Sequence, residues 1–424
     1  MISIAILVGG KGTRVQSITN GKSKAEIKLD KKNNIIDYQL TKLTKLKKNI
    51  YIVSNKKFVS LKKYVNNKYQ NDKINFIDEN SQLGTAGAVK NLETLKYNQD
   101  FLIVFGDLLF NFDFKKLIDF HKQKKSKCTL VVHPNSHPED SDCVELNDKS
   151  QVVKFYKKPH NKKKIINNLC LSGILIVNKK FLKLIKPNVS QDISKNFLDK
   201  ILKKNNKVFG YKTREYIKDV GTLERVDQAK KDLNSIKYKK GNINCKIPAI
   251  FLDRDGVINL EKNNGKYQNP RKFIAGSLES FQKINNAGFL AILITNQPAV
   301  AKGFISLKKL KKDLKFLNYK IAEHNGYLDD IFYCVHHPHK GFKNELKRLK
   351  KNCKNRKPNN GMFLLANKAN NIDFKKSIMI GDSYTDYLAA KKTKIKFIGV
   401  GGLKIPGSIL KKNLQSAIKF LFPE

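Results

Sequence analysis

Short apolar runs rich in Ile, Val, Leu and Phe recur along the chain, and amphipathic stretches with helical spacing lie between them. The runs are Ile2–Val8, Ile50–Ser54, Phe101–Phe105, Thr129–Val132 and Ile174–Val177, then Ala249–Leu252, Leu290–Ile294, Ile378–Ile380 and Phe397–Val400. Strands alternating with helices predict an α/β protein built on parallel, doubly wound sheets. The alternation breaks at Asp232–Cys245, a polar stretch rich in Lys and Asn, and restarts after Pro248. This predicts one domain over 1–232, a linker over 233–247 and a second domain over 248–424. A length of 424 residues agrees, since it exceeds the size at which one core stops growing. The two halves share no internal repeat.

Composition adjusts this picture in three ways. The chain holds 84 Lys and Arg against 36 Asp and Glu, a formal charge of +48. Such a field attracts polyanions when the cations cluster. Here the Lys are scattered through nearly every segment, so a solvated surface that also welcomes anionic substrates accounts for them, without specific nucleic-acid binding. Only seven of the cations are Arg, and three of those, Arg14, Arg254 and Arg356, fall inside the motifs below. Six Cys at irregular spacing make no disulfide framework. The opening Met1–Val8 lacks a basic flank and runs into glycines, which predicts a strand and not a signal peptide. No apolar run reaches the roughly 18 residues of a membrane span, and the expected compartment is the cytoplasm.

In the first half, Ile4–Val8 runs directly into Gly9-Gly10-Lys11-Gly12-Thr13-Arg14. A glycine turn at the carboxyl end of a first strand lies where open α/β sheets bind ligands. Glycines let backbone N–H groups wrap phosphate oxygens, and Arg14 with Lys24 can neutralise a triphosphate. Leu83-Gly84-Thr85-Ala86-Gly87-Ala88 is a second loop of small residues, against which a flat base can lie. Asp107 follows the run Phe101–Phe105, and Asp219 precedes Val220-Gly221-Thr222. Two carboxylates on one Mg²⁺ that bridges phosphates are a common clamp for phosphoryl chemistry.

These features together resemble the sugar-1-phosphate nucleotidyltransferases, which join a nucleoside monophosphate from an NTP to a sugar phosphate and release pyrophosphate. The resemblance spans residues 1 to about 232 and implies a Rossmann-like fold. It implies that Gly9, Gly10, Gly12, Thr13, Arg14 and Lys24 hold the nucleotide, that Gly87 lies at the base, and that Asp107 and Asp219 hold Mg²⁺. Lys158 matches the lysine for the sugar phosphate. The chain departs from the family at Ser23, where Pro is usual, at Lys157-Lys158-Pro159 in place of Glu-Lys-Pro, and at Leu171-Ser172-Gly173 in place of Asn-Ala-Gly.

In the second half, Ala249–Leu252 ends in Asp253-Arg254-Asp255-Gly256-Val257. Two carboxylates two residues apart at a strand end suit a division of labour, one attacking phosphorus and the other serving as acid and then base. Thr295-Asn296-Gln297 closes the next run, Arg356-Lys357-Pro358 adds cations, and Gly381-Asp382-Ser383-Tyr384-Thr385-Asp386 adds acidic metal ligands. This order resembles the haloacid dehalogenase superfamily over 248 to about 402. With Asp253-Arg254-Asp255-Gly256, Thr295-Asn296-Gln297 and Cys334-Val335-His336-His337-Pro338, it most resembles the branch acting on heptose bisphosphates and histidinol phosphate.

That resemblance implies Asp253 as nucleophile, Asp255 as acid and base, and Thr295 and Lys357 on the phosphate, with Asn296 and Arg356 as further substrate contacts. Asp253 and Asp382 would hold Mg²⁺, assisted by the backbone of Asp255. The branch often carries a structural zinc, for which Cys334, His336 and Cys353 are present. Asn355 stands at the place of the fourth ligand, so His337 or His339 completes the set or the loop folds without metal.

The two resemblances converge. Removing the distal phosphate of D-glycero-D-manno-heptose 1,7-bisphosphate leaves a heptose 1-phosphate, the acceptor that a nucleotidyltransferase needs. The implied product is an NDP-heptose for surface polysaccharide, such as lipopolysaccharide or an S-layer glycan, with GTP as the preferred donor. The same chemistries on another sugar 1-phosphate and on histidinol phosphate are the alternative.

Overall fold

The strands of the first half are β1 (Ile2–Leu7), β2 (Ile50–Asn55), β3 (Ile74–Glu79), β4 (Asp100–Phe105), β5 (Leu108–Asn111), β6 (Cys128–His133), β7 (Cys143–Leu146), β8 (Val152–Tyr156), β9 (Cys170–Asn178), β10 (Val208–Lys212) and β11 (Tyr216–Asp219). Those of the second are β12 (Ala249–Leu252), β13 (Leu290–Asn296), β14 (Asp330–Cys334), β15 (Ile378–Gly381), β16 (Lys396–Gly399) and β17 (Ile409–Leu410). This is a computed structural model, and it describes residues 2–10, 13–79, 81–96, 99–160, 165–204, 207–260 and 271–423.

The chain divides into two units. One comprises 1–133, 141–159 and 169–242, and the other comprises 243–424 together with 134–140 and 160–168.

The main sheet of the first unit runs β10-β6-β9-β4-β1-β2-β3. β1 pairs in parallel with β2 and β4. Its residues alternate between two cores: Ile2, Ile4, Ile6 and Val8 pack on one face, Ala5 and Leu7 on the other. A sheet covered on both faces needs this near-continuous apolar character, which is why β1 was legible as a run instead of an alternation. β9 breaks the expected parallel pattern, because it lies antiparallel to both β4 and β6. The chain reaches β9 from the β7–β8 hairpin, with no crossover helix among the described residues between them, and that connection suits an antiparallel return. β5 and β11 form a separate antiparallel ribbon.

The sheet of the second unit runs β14-β13-β12-β15-β16-β17, with every pair parallel. β12 again feeds two cores, Ile250 and Leu252 on one face, Ala249 and Phe251 on the other. The strand order makes β12 central, so that its carboxyl end is flanked by those of β13 and β15. Asp253, Thr295 and Asp382 therefore gather along one edge.

No helix of the described residues is long and apolar enough to cross a membrane.

Candidate active sites

β1 leads into a cavity of about 310 Å³ lined by Gly9, Gly10, Lys24, Glu79, Gly84 and Asp107, among others. Ser23, in the place where Pro was expected, starts the turn Lys24–Glu26 with a reciprocal cap: its hydroxyl accepts from the Ala25 N–H, and Glu26 accepts the Ser23 N–H at 3.0 Å. The cap fixes the approach of Lys24, whose Nζ stands 3.3 Å from Asp107 Oδ2.

The ribbon registers Asp219 against Leu108, so that Asp107 and Asp219 lie side by side although 112 positions apart. The Asp219 carboxylate accepts the Gly221 N–H at 2.8 Å and pairs with Arg225. Arg14 Nη2 and Asp107 Oδ2 lie 3.6 and 3.9 Å from the point where a side chain on Gly221 would begin. Two carboxylates and a guanidinium thus face one small volume. Hard oxygen donors of this kind suit Mg²⁺.

Thr13 opens the turn Thr13–Val15, and Gly12 lies outside the described residues. Gly87 does not line the cavity. It sits in the helix Gly84–Lys90, where a Cβ would come 2.3 Å from that of Leu83. The neighbouring Gly84 is the cavity glycine. Lys158 donates its backbone N–H to Asp142 at 2.9 Å and is likewise absent from the cavity lining.

Sequence reasoning passed over two residues here. Arg225 follows the Thr222 cap of the helix Leu223–Leu233, with no local signal for its role. Glu79 ends β3, whose half-polar sequence gave no apolar run to read.

In the second unit, Asp253 follows β12, its N–H donating to Ile380 O of β15 at 3.2 Å. Lys357 Nζ stands 3.0 Å from Asp253 Oδ1, 2.6 Å from Asp386 Oδ1 and 2.9 Å from Ile294 O. Burial opposes the charge on Lys357, but Asp253 and Asp386 outweigh it and raise its pKa. Burial pushes Asp253 up to about 7, Lys357 working against this and Asp386 and Asp255 adding to it.

Asp253, Asp382 and Asp386 each offer a carboxylate oxygen within 4.8 Å of the others. This trio suits a hard divalent cation. Gly256, at φ +76°, lets the backbone pass Asp382, whose Oδ2 would lie 1.7 Å from a Cβ there.

Asp386 belongs to the expected acidic segment, but only the fold shows its double duty. It is the third residue of the helix Tyr384–Thr393, and one oxygen closes a capping box with Ser383 at 3.2 Å while the other faces Lys357. Asp255 is gripped by the Arg254 fork at 3.0 Å and by Gln297 Nε2 at 2.8 Å, and Gln297 also donates to Thr295 Oγ1 at 3.0 Å.

Two expected substrate contacts are otherwise engaged. The Asn296 amide donates to Lys357 O at 3.0 Å and accepts the Lys357 N–H at 3.1 Å, which makes it an anchor for the lysine. Arg356 donates to His336 O at 3.2 Å and so braces the cysteine loop.

In that loop the ligand atoms of Cys334, His336 and Cys353 also gather within 4.8 Å, with Cys334 Sγ and His336 Nδ1 3.7 Å apart. Two ligands of a tetrahedral zinc stand about 3.5 Å apart at ordinary bond lengths, so the three fit. His337 Nδ1 lies 3.1 Å from His339 O, and neither His337 nor His339 joins the trio among the described residues.

Residues 4–235 match the nucleotidyl transferase family, and residues 354–412 match a family of HAD-like hydrolases. The chain is 38% identical over 149 residues to the D-glycero-beta-D-manno-heptose-1,7-bisphosphate 7-phosphatase of Pasteurella multocida, spanning 35% of this chain and 78% of that enzyme. Against the enzyme of the same description from Vibrio cholerae, the identity is 36% over 144 residues, spanning 34% of this chain and 75% of the relative. The solved structure of HddC from Yersinia pseudotuberculosis aligns with 55% of this chain and all of its own, at 22% identity and a TM-score of 0.47.

Proposed function

This chain belongs over residues 4–235 to the nucleotidyl transferase family and over its second half to the heptose bisphosphate phosphatases among the HAD-like hydrolases, and on that premise we propose that it performs two consecutive steps of sugar-nucleotide synthesis. The second half removes the 7-phosphate of D-glycero-D-manno-heptose 1,7-bisphosphate. The first half joins GMP from GTP to the resulting heptose 1-phosphate and releases pyrophosphate. Residues 1–232 and 248–424 are the two modules, joined by 233–247. The product is a sugar nucleotide for surface polysaccharide, made in the cytoplasm where nucleoside triphosphates are found.

The observation that carries this reading is the identity of 38% to a bisphosphatase on a chain whose other half is a nucleotidyl transferase. The two chemistries fit in sequence, since the first leaves the phosphate that the second consumes.

In the phosphatase step, an Asp253 oxygen attacks phosphorus and the bond to the sugar oxygen breaks. Asp255 gives that oxygen its proton, then takes one from the water that attacks the aspartyl phosphate. Lys357 and Thr295 hold the phosphoryl oxygens. Asp253, Asp382 and Asp386 would hold Mg²⁺, which supplies charge neutralisation for the phosphoryl group. In the transfer step, Asp107 and Asp219 would hold Mg²⁺, Arg14 and Lys24 steady the triphosphate, and the sugar phosphate is itself the nucleophile. Cys334, His336 and Cys353 would hold a structural Zn²⁺.

The test incubates the protein with Mg²⁺, GTP and the α or β heptose 1,7-bisphosphate while phosphate and pyrophosphate are followed separately. Phosphate release first, then pyrophosphate with formation of GDP-heptose, is expected. Release of phosphate from histidinol phosphate but not from either heptose bisphosphate would overturn the substrate named here.

A further inference from the structure

Gln297 follows β13 and is only 2% exposed. Its backbone N–H donates at 2.7 Å to Cys334 O, at the end of β14, which pins it to the sheet edge. Its Nε2 donates to Asp255 Oδ2 at 2.8 Å and to Thr295 Oγ1 at 3.0 Å. An ionised carboxylate only accepts, so turning the amide over would set Oε1 against Asp255. Both amide hydrogens are therefore used. One serves the group that handles the proton, and the other serves the hydroxyl that holds the phosphoryl oxygens.

The backbone around Asp255 is already fixed by a tight turn. Asn259 N–H donates to Arg254 O at 2.9 Å, and Gly256 N–H donates to Asn259 O at 2.8 Å. The Arg254 fork reaches both carboxylate oxygens of Asp255, Nε on Oδ1 and Nη2 on Oδ2, each at 3.0 Å. Arg254 belongs to the same turn as Asp255, so its grip sets the carboxylate plane within the turn. Gln297 comes from the neighbouring strand, which pairs with β12, and sets that plane relative to Thr295.

The donors are shared unevenly. Oδ2 accepts from both Arg254 and Gln297, whereas Oδ1 accepts from Arg254 alone among the described residues. Each carboxylate oxygen has about two lone-pair sites, so Oδ2 is filled and Oδ1 keeps one open. The side chain of Asp255 is 31% exposed, which leaves the open site within reach of a leaving oxygen or a water.

We propose that Gln297 is a positioning residue for the phosphatase step. By occupying Oδ2 it sets Asp255 so that Oδ1 gives a proton to the sugar oxygen as the bond to phosphorus breaks. The same oxygen then takes a proton from the water that attacks the aspartyl phosphate. Gln297 itself touches no reacting atom. The inference rests on the phosphatase reading above.

The experiment compares kcat/KM of the full chain, Gln297→Met and Gln297→Asn on two substrates with Mg²⁺ present. The sugar oxygen of D-glycero-D-manno-heptose 1,7-bisphosphate needs a proton to leave, whereas the nitrophenolate of p-nitrophenyl phosphate leaves without one. Met keeps the length of Gln297 but donates nothing. Asn keeps the amide but is one methylene too short to reach both partners. Positioned proton transfer is worth about a hundredfold or more, so each variant is expected to lose about tenfold or more on the bisphosphate and several-fold less on nitrophenyl phosphate. A merely structural role would lower both alike, and an unchanged ratio between the substrates overturns the proposal even where a variant melts earlier. So does an unchanged kcat/KM on the bisphosphate.

Asp255→Asn removes the proton carrier, so its ratio should fall at least as far, and adding Gln297→Met to it should lower the ratio no further. A further fall in the double variant would show that Gln297 acts apart from Asp255. Phosphate release from the bisphosphate by the unmodified chain reads the underlying activity separately. Release with an unchanged ratio in the variants sinks the role of Gln297 alone, whereas no release sinks the reading on which it rests.

Discussion

Lys357 and Asp253 form a buried ion pair at 3.0 Å, with Lys357 only 1% exposed. Asp386, fully buried, holds the other side of the same ammonium. Three charges out of water stay favourable only while all three are present. Lys357→Met should therefore leave two carboxylates facing each other and cost roughly 3–5 kcal/mol, besides removing phosphate release. Asn296→Ala separates anchoring from charge, because it frees the Lys357 backbone and keeps the ammonium. The expected result is a milder loss, on the order of 1–3 kcal/mol, with a fall in phosphatase kcat. Thermal melts and phosphate release on the two variants check both, and an Asn296→Ala variant with unchanged kcat would remove the anchoring role.

Among the described residues, the phosphatase cluster draws on positions from Asp253 to Asp386, and the transferase site on positions up to Arg225. Asp253→Asn should abolish phosphate release and leave pyrophosphate release from supplied heptose 1-phosphate nearly intact. Asp107→Ala and Asp219→Ala should do the reverse. Equal loss of both activities in any of the three variants would contradict two independent sites.

Zinc near one per chain is expected in protein purified without chelator, since Cys334, His336 and Cys353 already stand at ligand spacing. A structural zinc contributes folding free energy directly. Cys353→Ser or a chelator should then lower the melting temperature of the second unit and spare that of the first. If no zinc co-purifies and Cys353→Ser melts like the parent, Asn355 marks a site that this chain has lost.

Glu79 makes a pH prediction for the first unit. Its pKa in the fold, raised to about 7 from 4.5, means that folding favours the protonated form. The resulting stability is complete below about pH 4.5, is lost as pH rises through 7, and amounts to about 3 kcal/mol at most. Glu79→Gln cannot ionise. Its melting temperature relative to the parent should rise between pH 5 and 8 without ligand, and a constant difference would show that Glu79 is not buried as a carboxylic acid.

Much of the chemistry was legible along the chain because it sits where local pattern changes. Asp253 follows Leu252, Thr295 lies near the end of β13 and Asp382 follows Gly381. A fully apolar run that stops at a polar residue marks a buried strand end, and in parallel sheets those ends share one edge. The α/β class follows from the same runs, while strands with half-polar sequence such as β3 and ribbons such as β5–β11 leave no such mark.

Which groups face each other was decided by strand order and register, which link positions far apart. Lys357 finds Asp253 and Asp386 because the segments that follow β12, β14 and β15 converge on one edge. Asn296, expected as a substrate contact, is also tied by its amide to the Lys357 backbone, 61 positions away. Glu79 meets Gly9 across an intervening strand. Side-chain partners depend on distances of a few ångströms between segments whose separation in sequence carries no trace of that proximity, so hydrophobic periodicity could locate the strand ends but not pair the charges upon them.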